Sequence, residues 1–232
     1  LYESKKWEEA AACFEKCADL QNKSWYLYQR TKCLDHLGKH DEALSCISAA
    51  IAENPEKNLH HYHYTKGKLF QKKKSHEDAV EYFEKALEIK PNDHRILSQM
   101  GYSLAHLGII DRCLTCYDKA LEAKPNDWDV WASKYHAMRI LAEAQEMFKC
   151  AENMHRIAPN KFESKMGMSY AISNAKFSMA NLSRHERLEK ALQYVNGALS
   201  IRKEIHSFFT KAAILRGLER HDEALQTLDD GL

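Results

Sequence analysis

Apolar residues return at three- and four-residue steps in block after block of this chain, and each block closes on a short polar stretch. The strings "LGKHDEALSCISAAIAENP", "KKSHEDAVEYFEKALEIKP", "LGIIDRCLTCYDKALEAKP" and "LERHDEALQTLDDGL" show the pattern most clearly. Such spacing gathers apolar side chains on one face of an α-helix. Acidic residues open these helices at Asp41-Glu42, Glu77-Asp78 and Asp222-Glu223, where the helix dipole is positive. Pro55, Pro91, Pro125 and Pro159 close them, and Asn-Asp follows two of these prolines to start the next helix. At the front, "KKWEEAAACFEKCADL" reads as one more helix of the same kind, with Ala10 and Phe14 in register.

The blocks keep a period. Pro91, Pro125 and Pro159 are 34 residues apart, and Pro55 precedes Pro91 by 36. With the proline as position 32, one unit starts at His60 and carries Gly67, Phe70, Ala79, Phe83 and Ala86 at positions 8, 11, 20, 24 and 27. The next carries Leu97, Gly101, Leu104, Cys113, Tyr117 and Ala120, and an earlier one carries Leu27, Thr31, Leu34, Ala43, Ile47 and Ala50. A 34-residue period with small, aromatic and proline markers is the mark of stacked helix–turn–helix units. On these residues the chain resembles the tetratricopeptide repeat (TPR) family, whose pattern is W-x2-L-G-x2-Y, then A-x3-F, then A and P. The resemblance implies an all-α fold, a right-handed α-solenoid of stacked TPR units spanning residues 1–232. The units run over 1–23 (a half unit), 24–59, 60–93, 94–127, 128–161, 162–204 and 205–232 (truncated). Two depart from the pattern. The unit from Trp128 has Met147 and Met154 at small positions, and the second helix of the unit from Phe162 arrives about ten residues late, which lengthens its first helix or turn around 174–185. That extension is expected to hold Phe177 and Met179 on an arm that contacts another domain or subunit, or to pack internally.

The register also bears on "LHHYHY" at 59–64, which on its own suggests a metal site. His63 falls at seam position 4, where it is expected to pack between units as a satisfied polar aromatic. His60 and His61 are helix neighbours and are expected to point apart. No Cys or acidic partner stands in register beside them, so no metal is expected.

Composition changes little. With 8 Gly and 4 Pro in 232 residues, long helices are favoured over a loop-rich fold. A net charge of +1 gives no global pull toward nucleic acid, and no run of 18 apolar residues suggests a membrane span. The seven cysteines include a single CxxC, Cys113 to Cys116, without a second pair to complete a zinc site. They read as reduced apolar residues of a reducing compartment, hence a cytoplasmic location. No nucleophile elbow, P-loop, dinucleotide fingerprint or zincin motif is present, so no catalysis and no cofactor are expected within these residues.

The resemblance implies that first-helix positions 2, 5, 6, 9, 12 and 13 line the concave face. These bring Trp25, Tyr28, Gln29 and Lys32 from one helix, and His61, Tyr64, Lys68 and Lys72 from the next. The third helix adds Arg95, Gln99 and Tyr102. Asp35 is the one acid on this face, and beyond Asp129 the face turns acidic and apolar. The family's clamp for carboxylate-terminated chaperone tails is matched here by the cation at Arg95 alone. The expected function is a non-catalytic scaffold binding an extended acidic peptide or partner surface in this groove. One alternative is the TPR portion of a larger glycosyl- or phosphoryl-transferase, suggested by the fragment-like ends. Another is RNA bound by the same lysines and aromatics, which the neutral net charge argues against.

Overall fold

The computed structural model describes residues 2–17, 23–53, 58–174 and 181–232, and the described residues form thirteen helices and no strand. Two compact bodies divide the chain, Leu1–Ala123 and Lys124–Leu232. The first holds α1 (Tyr2–Cys17), α2 (Lys23–His36), α3 (His40–Ala52), α4 (Leu59–Lys72), α5 (His76–Ile89), α6 (His94–His106) and α7 (Ile110–Ala123). The second holds α8 (Trp128–Ile140), α9 (Ala144–Ile157), α10 (Phe162–Asn174), α11 (Arg184–Leu199), α12 (Ile205–Gly217) and α13 (His221–Asp229). Within each body every helix packs on the next, and first helices of adjacent hairpins also touch, α4 on α6 and α10 on α12. The fold is all-α, built of stacked helix–turn–helix hairpins.

What closes each hairpin is a match of small against large. A Cβ at Gly67 would stand 2.7 Å from the Phe83 ring, and one at Gly101 would stand 2.8 Å from the Tyr117 ring. Phe83 and Tyr117 are fully buried, so these glycines are required by close helix approach. The α8/α9 hairpin inverts the arrangement. Its position 8 is Tyr135 and its position 24 is Ala151, both buried. The same total volume is kept with the large member on the other helix, and Met147 and Met154 are accommodated in full burial alongside it.

The turns are equally uniform. Gly38, Lys74, Gly108, Ala142 and Glu219 occupy one repeat position, and all have φ between 59° and 73°. The residue after each donates its amide back across the turn, as from Lys39 to Leu34 and from Glu143 to Met138. This left-handed helix stop suits glycine, and a side chain there is strained. At the next boundary, Asp93 and Asp127 cap α6 and α8, accepting the backbone N–H of Arg95 and Asp129 at 3.0 Å.

The late helix of the fifth hairpin is accounted for in part. α10 is described over Phe162–Asn174, and the residues that follow it, 175–180, lie outside the described residues. α11 begins seven residues before Ala191, whereas α5 begins three before Ala79, so one extra turn has been added to its front. A capping box holds that turn: Ser183 accepts from the Glu186 amide, and Glu186 accepts from the Ser183 amide at 2.7 Å. Phe177 and Met179, expected on an exposed arm, lie outside the described residues. Cys33, Cys46, Cys113, Cys116 and Cys150 are buried, and none forms a disulfide among the described residues.

Two substitutions separate these packing claims. Gly67→Ala should destabilise by about 1–3 kcal/mol through overpacking against Phe83. Ala142→Gly should stabilise by about 1 kcal/mol by relieving the left-handed turn. Denaturant unfolding of each variant measures both, and opposite signs are expected.

Candidate functional site

In the first body the expected inner residues stand on α2, α4 and α6. Tyr28 stacks on Tyr62 with ring centroids 4.9 Å apart, and the Lys32 ammonium lies over the Tyr28 ring at 4.6 Å. One hairpin later the arrangement repeats more loosely, with the Lys68 ammonium 5.8 Å from the Tyr64 ring. Tyr64 is where the three helices meet. Burial pushes its hydroxyl pKa up, and Arg95, Asp93 and Tyr28 all act on it electrostatically. Gln71 ties the row together, donating to the Gln99 carbonyl and to Ser103 Oγ, both at 2.8 Å. Trp25 is 46% exposed at one end, edge-on to Phe14.

The four cations divide into two kinds. Lys72 is bound to Asp35 of the preceding first helix at 2.5 Å. Arg95 folds back on its own cap, Asp93, with contacts of 3.2 and 3.3 Å, and Lys90 adds a third. Asp93 is almost wholly buried, and these cations hold its carboxyl far below the ordinary range. Lys72 and Arg95 therefore already have partners within the fold, Arg95 sharing Asp93 with Lys90. Lys32 and Lys68 are exposed, and no carboxylate among the described residues pairs with either.

Histidine placement needs two further corrections. The His60 and His61 rings do not diverge; their centroids are 4.1 Å apart. Both belong to the first turn of α4, where side chains lean toward the N-terminus and no earlier turn keeps them separate. His63 stacks on Tyr82 of its own hairpin rather than reaching another, and its buried Nδ1 has no hydrogen-bond partner among the described residues. Elsewhere, His76 and His106 stack in parallel at 4.2 Å, with the Tyr102 ring edge-on to both.

The second body contains a cleft of about 630 Å³ across α8, α10 and α12, on the face whose residues past Asp129 the register marks as turning apolar. Its walls include Tyr135, Met166, Tyr170 and Phe209, with Ala132 and Gly167 as the small residues between them. Tyr135 Oη donates to the Gly167 carbonyl at 3.5 Å. Glu163, the one acidic lining residue, is bound to Arg202 at 3.0 Å. Arg139 sits at position 12, the groove position that Asp35 occupies in the first body, so the register alone places it on this face. The cleft is apolar as expected past Asp129, but its available charge is basic.

With this geometry in view, comparison with known proteins is informative. The tetratricopeptide repeat family matches at residues 62–93. Among solved structures, the C-terminal part of a TPR repeat-containing protein from Cytophaga hutchinsonii superposes with a TM-score of 0.69 at 17% identity, covering 98% of this chain and 96% of that one. A tetratricopeptide repeat protein from Parabacteroides merdae gives 0.70 at 11% identity, covering 89% and 78%. This chain has the tetratricopeptide-repeat fold. YrrB, described as a TPR protein with an unusual peptide-binding site, shares the TPR fold at a TM-score of 0.57 and 19% identity, over 71% of this chain and 84% of its own. No curated protein matches. Among the described residues no helix of these repeats is long and apolar enough to cross a membrane.

The repeats carry an acid sensitivity. Burial, the leading cause in each case, holds His60, His61, His63, His76, His136 and His155 below the ordinary imidazole pKa of 6.5. Below about pH 6.5 the unfolded chain then binds more protons than the folded one, so acid lowers stability across that window. The thermal midpoint should fall between pH 7 and about pH 5.5, and His76→Gln should flatten the slope. A midpoint constant over that range in the parent chain would contradict it.

Proposed function

We propose that the chain is a non-catalytic protein-binding scaffold whose first body holds an extended acidic peptide along α2 and α4. The observation that carries this reading is the repeated pair of Lys32 over Tyr28 and Lys68 over Tyr64, exposed ammoniums each resting on an aromatic ring. Equivalent positions on neighbouring helices are separated by roughly 8–10 Å. Side chains on one face of an extended peptide recur about every 6.6–6.8 Å. Lysine stems span the difference, so carboxylates two or three residues apart match the two ammoniums. Gln29 and Gln99 offer amides for the peptide backbone, and Trp25 and Tyr102 lie toward the ends of the row. Lys72 and Arg95, tied to Asp35 and Asp93, shape the wall and add little free charge. Peptide binding has a precedent on this fold in YrrB, as its description states.

Exposed charge pairs contribute up to about 1 kcal/mol each, so the expected affinity is modest and falls with salt. The test is fluorescence anisotropy of a Glu-rich peptide against the Lys32→Glu, Lys68→Glu double variant at low ionic strength. A loss of about 30-fold or more is expected, from two lost attractions of that size plus repulsion. Lys85→Glu, on the second helix α5, should bind as the parent does. Equal affinity of the parent and the double variant would overturn the assignment.

A further inference from the structure

We infer that the second body has a peptide site of its own, chemically unlike the basic row of the first. The cleft across α8, α10 and α12 takes an extended segment that presents a bulky apolar side chain next to one carboxylate.

Gly167 is the first observation. A Cβ there would meet the Tyr135 ring at 3.8 Å and Met154 at 3.9 Å, which is ordinary contact. Packing therefore does not demand glycine at 167, as it does at 67 and 101. Gly167 itself is buried beneath these neighbours, and its missing side chain leaves the adjoining cleft volume unfilled. Ala132, on the neighbouring first helix, extends the same opening. The volume left, about 630 Å³, falls within the range of ligand sites and exceeds any single side chain. Phe209 borders it with 55% of its surface exposed, an aromatic that a ligand would cover.

Charge gives the second half of the ligand. Glu163 is held at 3.0 Å by Arg202, a guanidinium that also pairs with Glu204 at 2.7 Å. Arg139 has no carboxylate partner among the described residues, and His136 and His206 stand in the same lining. A single carboxylate beside an apolar group complements that arrangement, and a guanidinium binds it in bidentate fashion. Length decides for a peptide. Three successive first helices cover roughly 16–20 Å, which matches five or six extended residues at about 3.3 Å each.

The probe is a dye-labelled, amidated peptide of sequence Gly-Phe-Leu-Glu-Gly, titrated with the full chain and followed by fluorescence anisotropy. Saturable binding is expected. Arg139→Gln should weaken it about tenfold, as should replacing the probe's Glu by Gln, and the two losses should not add. Gly167→Leu, which fills the opening, should abolish binding while circular dichroism stays helical. If that variant unfolds, the exposed Arg139→Gln variant carries the test. The Lys32→Glu, Lys68→Glu double variant should bind this probe normally, which separates the site from that of the first body. No saturable binding to the parent chain, equal affinity for the Glu and Gln probes, or loss of binding in the double variant would each overturn the inference.

Discussion

The interaction on which the rest depends is the fit of one large side chain into one small position in the α4/α5, α6/α7 and α8/α9 hairpins. Gly67 under Phe83 and Gly101 under Tyr117 let paired helices come within side-chain contact along their length. A helix of thirteen or fourteen residues is marginal alone in water. Stability therefore comes from stacking, and each hairpin contributes to a core shared with its neighbours. Since the large and small members occupy fixed register positions, the opposite face of every first helix is also fixed. That leftover face is where binding chemistry becomes available.

The two bodies use the face differently, and the reason again lies in the small-versus-large pair. In the first, the glycine or threonine at position 8 keeps bulk out of the row, so lysines resting on tyrosines dominate it. In the second, the inverted pair puts Tyr135 on the first helix, where its ring borders the cleft and its hydroxyl reaches Gly167. Charge then follows local pairing: Lys72, Arg95 and Glu163 meet Asp35, Asp93 and Arg202, while Lys32, Lys68 and Arg139 have no carboxylate partner among the described residues.

Much of the fold was legible because the determinants are periodic. The prolines, the small positions and the Asp93 and Asp127 caps are local features repeated at a fixed spacing, and each falls where the register places it. The site was legible as a face and not as a set of contacts. Register says that Lys72 points inward; it does not say that Asp35, thirty-seven residues earlier, will meet it. Arg95 on Asp93 is a contact between near neighbours at a helix start, where side chains escape the usual helical spacing, as do His60 and His61. The cleft is not legible in the register because it needs Phe209 and the Tyr135 inversion together. The Ser183–Glu186 capping box, by contrast, is written in the sequence as S-x-x-E.

The central claim is that first helices bind and second helices support. Amide chemical-shift mapping during titration with a Glu-rich peptide tests it most directly, because it reports contact residue by residue. The account predicts perturbations concentrated on α2 and α4, around Tyr28–Lys32 and Tyr64–Lys68. Perturbations concentrated on α3 and α5 would contradict it.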